Sequence, residues 1–114
     1  MHELSYVLKI VDCALQCAKE NDFKEVKEIT LEVGAMTGAL PEYLNMYFKK
    51  AASDTCLEGA RLNIINIPVL AECECGNIYK PEKENGYCCS KCGNSSGRIV
   101  QGRDIVVVSV SGNS

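Results

Sequence analysis

The chain has 114 residues, with 12 basic and 15 acidic side chains, a net charge of −3, eight cysteines and a single histidine. That length admits one domain, or one small domain carrying a metal-stapled appendage, and 46% hydrophobic residues exclude disorder along the whole chain. The mildly acidic balance argues against a nucleic-acid partner.

Residues 3–20 are predicted to form a helix. Leu4, Leu8, Val11, Leu15 and Ala18 recur at helical spacing beside a second apolar stripe of Tyr6, Ile10, Cys13 and Cys17. A polar row of Ser5, Lys9, Asp12, Gln16 and Lys19 lies opposite, and Asn21 and Asp22 end the helix. A strand follows over Glu25–Val33, where Lys27, Ile29, Leu31 and Val33 alternate with Glu28, Thr30 and Glu32 and turn one face inward. Gly34–Gly38 reads as a loop, and Pro41 as the first turn of a second helix that buries Leu44, Tyr47, Phe48 and Ala51. Residues 60–68 read as a second strand whose Ile64–Ile65 pair marks a bulge, and the β-branched run Arg103–Val110 as a third.

Charge and cysteines divide unevenly. Residues 1–68 carry seven basic and ten acidic groups, whereas residues 69–114 carry five of each. Cys13, Cys17 and Cys56 fall in the first part; Cys73, Cys75, Cys88, Cys89 and Cys92 crowd into the second. The expected fold is therefore α+β: two helices packed on a small three-stranded sheet, with an inserted four-cysteine zinc-binding subdomain. Its expected units are 1–68, completed by a returning strand at 99–110, and the zinc-binding 69–98.

Within that insertion, Cys73-Glu74-Cys75-Gly76 is separated from Cys89-Ser90-Lys91-Cys92-Gly93 by a short polar stretch. Two close thiol pairs, each followed by glycine, are what a tetrahedral structural zinc requires, because glycine permits the left-handed turn that aims backbone amides at the sulfurs. Cys89 is preferred to Cys88 because Cys89-x-x-Cys92-Gly forms the knuckle. The shortened first pair leaves a role for Cys88 open. Iron in a rubredoxin-like S4 site is the competing metal. Cys13 and Cys17, four apart on the first helix, could clamp a metal, but they fall on its apolar stripe and, like Cys56, read as small buried hydrophobes.

The lone histidine is residue 2. A free α-amine, the His2 amide and imidazole Nδ1 can close five- and six-membered chelate rings about one ion, with the Glu3 amide or carboxylate completing a plane. Nitrogen donors in a plane favour Ni(II) or Cu(II). By residue chemistry alone, a solvated terminus is the plainer reading of His2.

A resemblance changes that balance. Met1-His2-Glu3-Leu4-Ser5, Glu32-Val33-Gly34 followed by Pro41-Glu42-x-Leu44, Leu57-Glu58-Gly59-Ala60, the paired cysteines and Gly102-Arg103 together resemble the HypA/HybF family of hydrogenase nickel incorporation proteins. The likeness runs in order from residue 1 to about 110 and implies a nickel metallochaperone for [NiFe] hydrogenase maturation. Carried over, His2 and Glu3 hold a labile Ni(II), while Cys73, Cys75, Cys89 and Cys92 hold a structural Zn(II). The resemblance also implies two partners: the GTPase of the maturation pathway and the immature hydrogenase large subunit. Cys73-x-Cys75 departs from the family's usual two-residue spacer.

The leading expectation is thus a non-catalytic carrier, in the form of a monomer or weak homodimer. No apolar run approaches the ~20 residues of a membrane span. The N-terminus lacks the basic start and cleavage site of a signal peptide, so a cytoplasmic location is expected. A zinc-ribbon module that binds nucleic acid or another partner without moving nickel is the alternative, and an electron carrier of rubredoxin type a third. With no phosphate-binding loop and no nucleophile–base pair, no enzyme is expected.

Overall fold

The computed structural model describes residues 2–95 and 97–114, with the side chains of His2 and Asn85 excepted. Its regular elements are α1 (His2–Glu20), β1 (Glu25–Gly34), α2 (Pro41–Ala51), β2 (Arg61–Ile67), β3 (Leu70–Glu72), β4 (Ile78–Tyr79), β5 (Arg98–Gln101) and β6 (Ile105–Asn113). They form two compact units, one of Met1–Glu32, Ala39–Ile65 and Ile105–Ser114, the other of Val33–Gly38 and Asn66–Asp104.

The first unit is the expected pair of helices with a three-stranded sheet, ordered β2-β1-β6. Helix α1 packs on α2 and β6. It buries Val7, Ile10, Val11, Ala14 and Ala18, whereas Leu4 and Leu8 stay 45% and 52% exposed. The buried arc thus falls between the two apolar stripes read from the sequence, because neighbours on two sides cover the residues midway between them. Cys13 ends up exposed and Cys17 half-buried, so neither is the core filler expected. Asn21 closes the helix by donating its side-chain amide to the Cys17 carbonyl at 2.8 Å. Asp22 then takes a left-handed φ of 55°.

On β1, Val26, Ile29, Leu31 and Val33 are buried. Lys27, expected on the inward face, is exposed and pairs with Glu25 at 2.7 Å; an ammonium left alone in this core would forfeit its hydration. Strand β2 extends over Arg61–Ile67 with Leu62 buried; Ile65 and Asn66 are exposed in succession, so the alternation breaks there. In α2, whose N1 proline follows the extended Leu40, the fully buried residues are Leu44 and Phe48. Because Leu44 is 0% exposed, Leu44→Ala should lower unfolding stability by about 2–5 kcal/mol, read from urea melts.

The second unit holds a sheet that the sequence did not reveal. Its strand order is β4-β3-β5, with antiparallel pairs Ala71↔Tyr79 and Ala71↔Ile99. Strands of two to four residues are too short to display a period of two. Residues 98–101 therefore pair with β3, and only Ile105–Asn113 joins the larger sheet. Gly102 divides them at a φ of 87°, where a Cβ would lie 2.7 Å from the Pro68 carbonyl oxygen. Beneath this sheet Ala71, Cys73, Tyr79 and Cys89 form a small buried cluster with Ile99 against it.

Candidate metal sites

The four sulfurs of Cys73, Cys75, Cys89 and Cys92 all lie within 4.8 Å of one another. Cys73 and Cys92 sulfurs are 3.2 Å apart, and those of Cys75 and Cys89 3.7 Å. The edge of a ZnS4 tetrahedron built from 2.3 Å bonds is about 3.8 Å, so the donor set fits zinc. Cys88 is outside the group and donates to the Gly86 carbonyl at 3.3 Å.

Each sulfur pair sits on a turn with its own closure. In the first, the Cys73 amide bonds Asn77 O at 2.9 Å and the Gly76 amide returns to Cys73 O at 2.8 Å. In the second, the Cys89 amide bonds Asn94 O at 2.8 Å and the Gly93 amide returns to Cys89 O at 2.9 Å. The closing bond thus spans three residues in the first turn and four in the second. That is how the one-residue spacer of Cys73-x-Cys75 is absorbed. Gly76 and Gly93, at φ 89° and 75°, supply the left-handed step in both.

The electrostatics within the group are asymmetric. The Cys92 amide, Asn77 and the Lys91 amide all donate to Cys89 and bring its pKa down to about 6. The Cys75 amide acts the same way on Cys73, but the Cys92 thiol and burial outweigh it, so Cys73 is raised. Donors from both turns thus favour the thiolate at Cys89, the form in which a cysteine binds a metal.

Asn77 is the residue that sequence reasoning passed over. It stands on the first turn, yet its side-chain amide donates across to Cys89 Sγ at 3.4 Å and to Ser90 Oγ at 3.3 Å. Its place directly after Cys75-Gly76 was the only available signal. Outer hydrogen bonds of this kind typically affect metal affinity 10–100-fold. Asn77→Ala should speed zinc loss to a chromophoric chelator by roughly tenfold, with Asn77→Asp intermediate or worse because it adds charge beside thiolates.

At the other candidate site, His2 is the first residue of α1; its side chain and all of Met1 lie outside the described residues. Glu3 is buried, 8% exposed. Its carboxylate accepts the Leu40 amide at 3.2 Å. Its own backbone amide and that of Leu40 hold the carboxyl below the usual glutamate range. The side chain is thus engaged in tying the first turn of α1 to the residue that precedes α2.

Fold and site define a small α+β protein built around a tetrathiol metal site. The profile of the HypA family, described as hydrogenase/urease nickel incorporation, metallochaperone, matches residues 1–112. The chain is 41% identical over 107 residues to a hydrogenase maturation factor HypA of Methanocella arvoryzae, with 92% of each chain covered. It is 34% identical over 116 residues to that of Methanothermobacter thermautotrophicus, covering 96% of this chain and 95% of the other. The solution structure of the Ni metallochaperone HypA from Helicobacter pylori shares its fold over 100% of this chain and 99% of that one, with a TM-score of 0.75 at 22% identity. A second HypA solution structure matches over 97% and 95% with a TM-score of 0.72 at 24% identity.

The chain belongs to the HypA family of nickel-incorporation metallochaperones. It is accordingly a metal carrier in hydrogenase maturation and not an enzyme. No described helix is long and apolar enough to cross a membrane.

Proposed function

We propose that this protein binds Ni(II) at its first residues and hands it over during maturation of [NiFe] hydrogenase, while a Zn(II) on four cysteines serves structure alone. The observation that supports this reading is the match to a nickel-incorporation family over residues 1–112, a span that takes in His2 and Glu3.

Local physics supports the nickel end. The first four amides of an α-helix have no intrahelical partner, so coordination through the His2 and Glu3 amide nitrogens breaks no backbone ladder. Their deprotonation also offsets the positive end of the helix dipole, which would otherwise repel a cation. The Glu3 carboxylate accepts from both the Leu40 amide and the Glu3 amide, so whichever of the Glu3 amide and carboxylate completes the plane beside the amine, the His2 amide and Nδ1 exchanges that contact for the metal. A site of so few side-chain ligands exchanges readily, as delivery requires. Affinity cannot select nickel here, since the Irving–Williams order favours copper; supply and docking must.

Zinc, when bound, fixes the two turns to each other and supplies stability of order 10 kcal/mol in comparable small modules. Cys73, Cys75, Cys89 and Cys92 would hold it with no position left for a substrate. The protein acts in the cytoplasm as a monomer or weak homodimer, with the pathway's GTPase and the immature large subunit as partners.

The decisive test is a nickel titration on two otherwise identical chains, one with its native N-terminus and one extended by two residues. Extension removes the amine from the chelate, and the high-affinity nickel equivalent should disappear while zinc content stays the same. Equal nickel binding by both chains would overturn the reading.

A further inference from the structure

Cys13 and Cys17 stand outside both the tetrathiol site and the core. Both are free thiols, Cys13 exposed and Cys17 half-buried. Four residues apart on α1, their Cβ atoms are neighbours at about 5–6 Å. They are the middle of a row, Lys9, Cys13, Cys17 and Asn21, each member four residues from the next.

Both ends of that row bear on the sulfurs. The Asn21 side-chain amide donates to Cys17 Sγ at 3.6 Å while also bonding the Cys17 carbonyl at 2.8 Å. At the other end, Lys9 and Cys13 line a cleft of about 380 Å³ that Tyr6 and Ile10 share with Ile105, Val106 and Val107 of β6.

We infer that Cys13 and Cys17 form a two-sulfur site for a soft monovalent cation, Cu(I), separate from the zinc and nickel sites. Thiolates select soft ions such as Cu(I). Among the described residues only the tetrathiol group gathers three or more His, Cys, Asp or Glu ligands, so this pair offers two protein donors. Two donors leave Zn(II), which takes four, half-coordinated, but they satisfy a d10 monovalent ion in linear geometry. The span is right as well. An S–metal–S line measures about 4.6 Å at a zinc–sulfur bond length, within reach of two side chains whose Cβ atoms lie 5–6 Å apart.

Charge balances in the same direction. Two thiols lose two protons to solvent, and two thiolates around one Cu(I) leave a net charge of −1. Lys9, which lines the same cleft as Cys13, brings a positive charge to that side, and the Asn21 side-chain amide is a donor to the Cys17 sulfur.

The experiment is an anaerobic titration of the full zinc-loaded chain with Cu(I) against bicinchoninate, with zinc release followed in parallel. One equivalent of Cu(I) should bind without zinc release. In the C13S/C17S double variant, matched to wild type for zinc content and circular dichroism, that equivalent should be lost; Asn21→Ala should weaken it several-fold. On the wild-type chain, phenylarsine oxide, which closes on two adjacent thiols, should protect Cys13 and Cys17 together from alkylation, read by peptide mass spectrometry. Retention of the copper equivalent by the double variant, zinc displacement by the first equivalent, or failure of the arsenical to protect the pair would each overturn the assignment.

Discussion

Replacing Cys92 with serine is expected to empty the tetrathiol site and loosen residues 70–98, while α1 and α2 remain folded. The second unit's buried cluster is Ala71, Cys73, Tyr79 and Cys89, two of which are themselves candidate metal ligands. Its strands β3, β4 and β5 have three, two and four residues. Such a core buries too little apolar surface to order a segment of this length, and metal-coupled folding on the order of 10 kcal/mol must supply the difference. Zinc content should fall from one equivalent to a small fraction, and limited proteolysis should cut first between Cys75 and Cys89. Cys88→Ser is the control: its sulfur bonds Gly86 O rather than the tetrad, so zinc and protease resistance should not change. A Cys92→Ser protein with a full zinc equivalent and native resistance would refute the ligand set.

Substituting His2 with alanine should weaken nickel binding by more than about a hundredfold, beyond the 10–100-fold typical of losing an outer-shell partner. On the proposed coordination, the change removes Nδ1 and with it the six-membered chelate ring, leaving the amine and amides as weak donors. Zinc content and thermal stability should stay at wild-type values, because Glu3, which the change leaves intact, ties the start of α1 to Leu40. The pH dependence has a definite sign. A metal held by nitrogen ligands displaces protons from them, so nickel affinity on the proposed coordination rises with pH and is lost on acidification. Calorimetry on protein with an untagged N-terminus measures both; native-level affinity in the variant would remove His2 from the site.

Much of the first unit was legible in the sequence because its elements are long. Helix α1 spans 19 residues and β1 ten, enough for several periods of 3.6 or 2 to emerge above noise. Pro41 at a helix start carries its own local signal. The second sheet left no such trace. Its strands come from three separated segments, and Leu70–Glu72 pairs with Arg98–Gln101 only once the chain between them has turned back.

The four thiols are a similar mixture. Spacing and the following glycines nominate Cys73, Cys75, Cys89 and Cys92, and the fold brings those sulfurs together. Nothing in the spacing shows that Asn77 reaches from one turn to the sulfur of the other, since a hydrogen bond twelve residues away depends on how the two turns face each other. The conformation of the one-residue spacer is likewise a tertiary outcome, decided by a three-residue closure where the second turn uses four.

By itself, then, the order of residues determined what depends on neighbours along the chain: the long helices and strands of the first unit, the glycine turns and the family. Tertiary structure alone decided what depends on partners far along it. It chose which arc of α1 is covered, leaving Leu4, Leu8 and Cys13 in solvent, and it engaged the Glu3 carboxylate with Leu40. The reason is that periodicity records a repeating local geometry, whereas burial and cross-chain hydrogen bonds are set by whichever surfaces happen to meet.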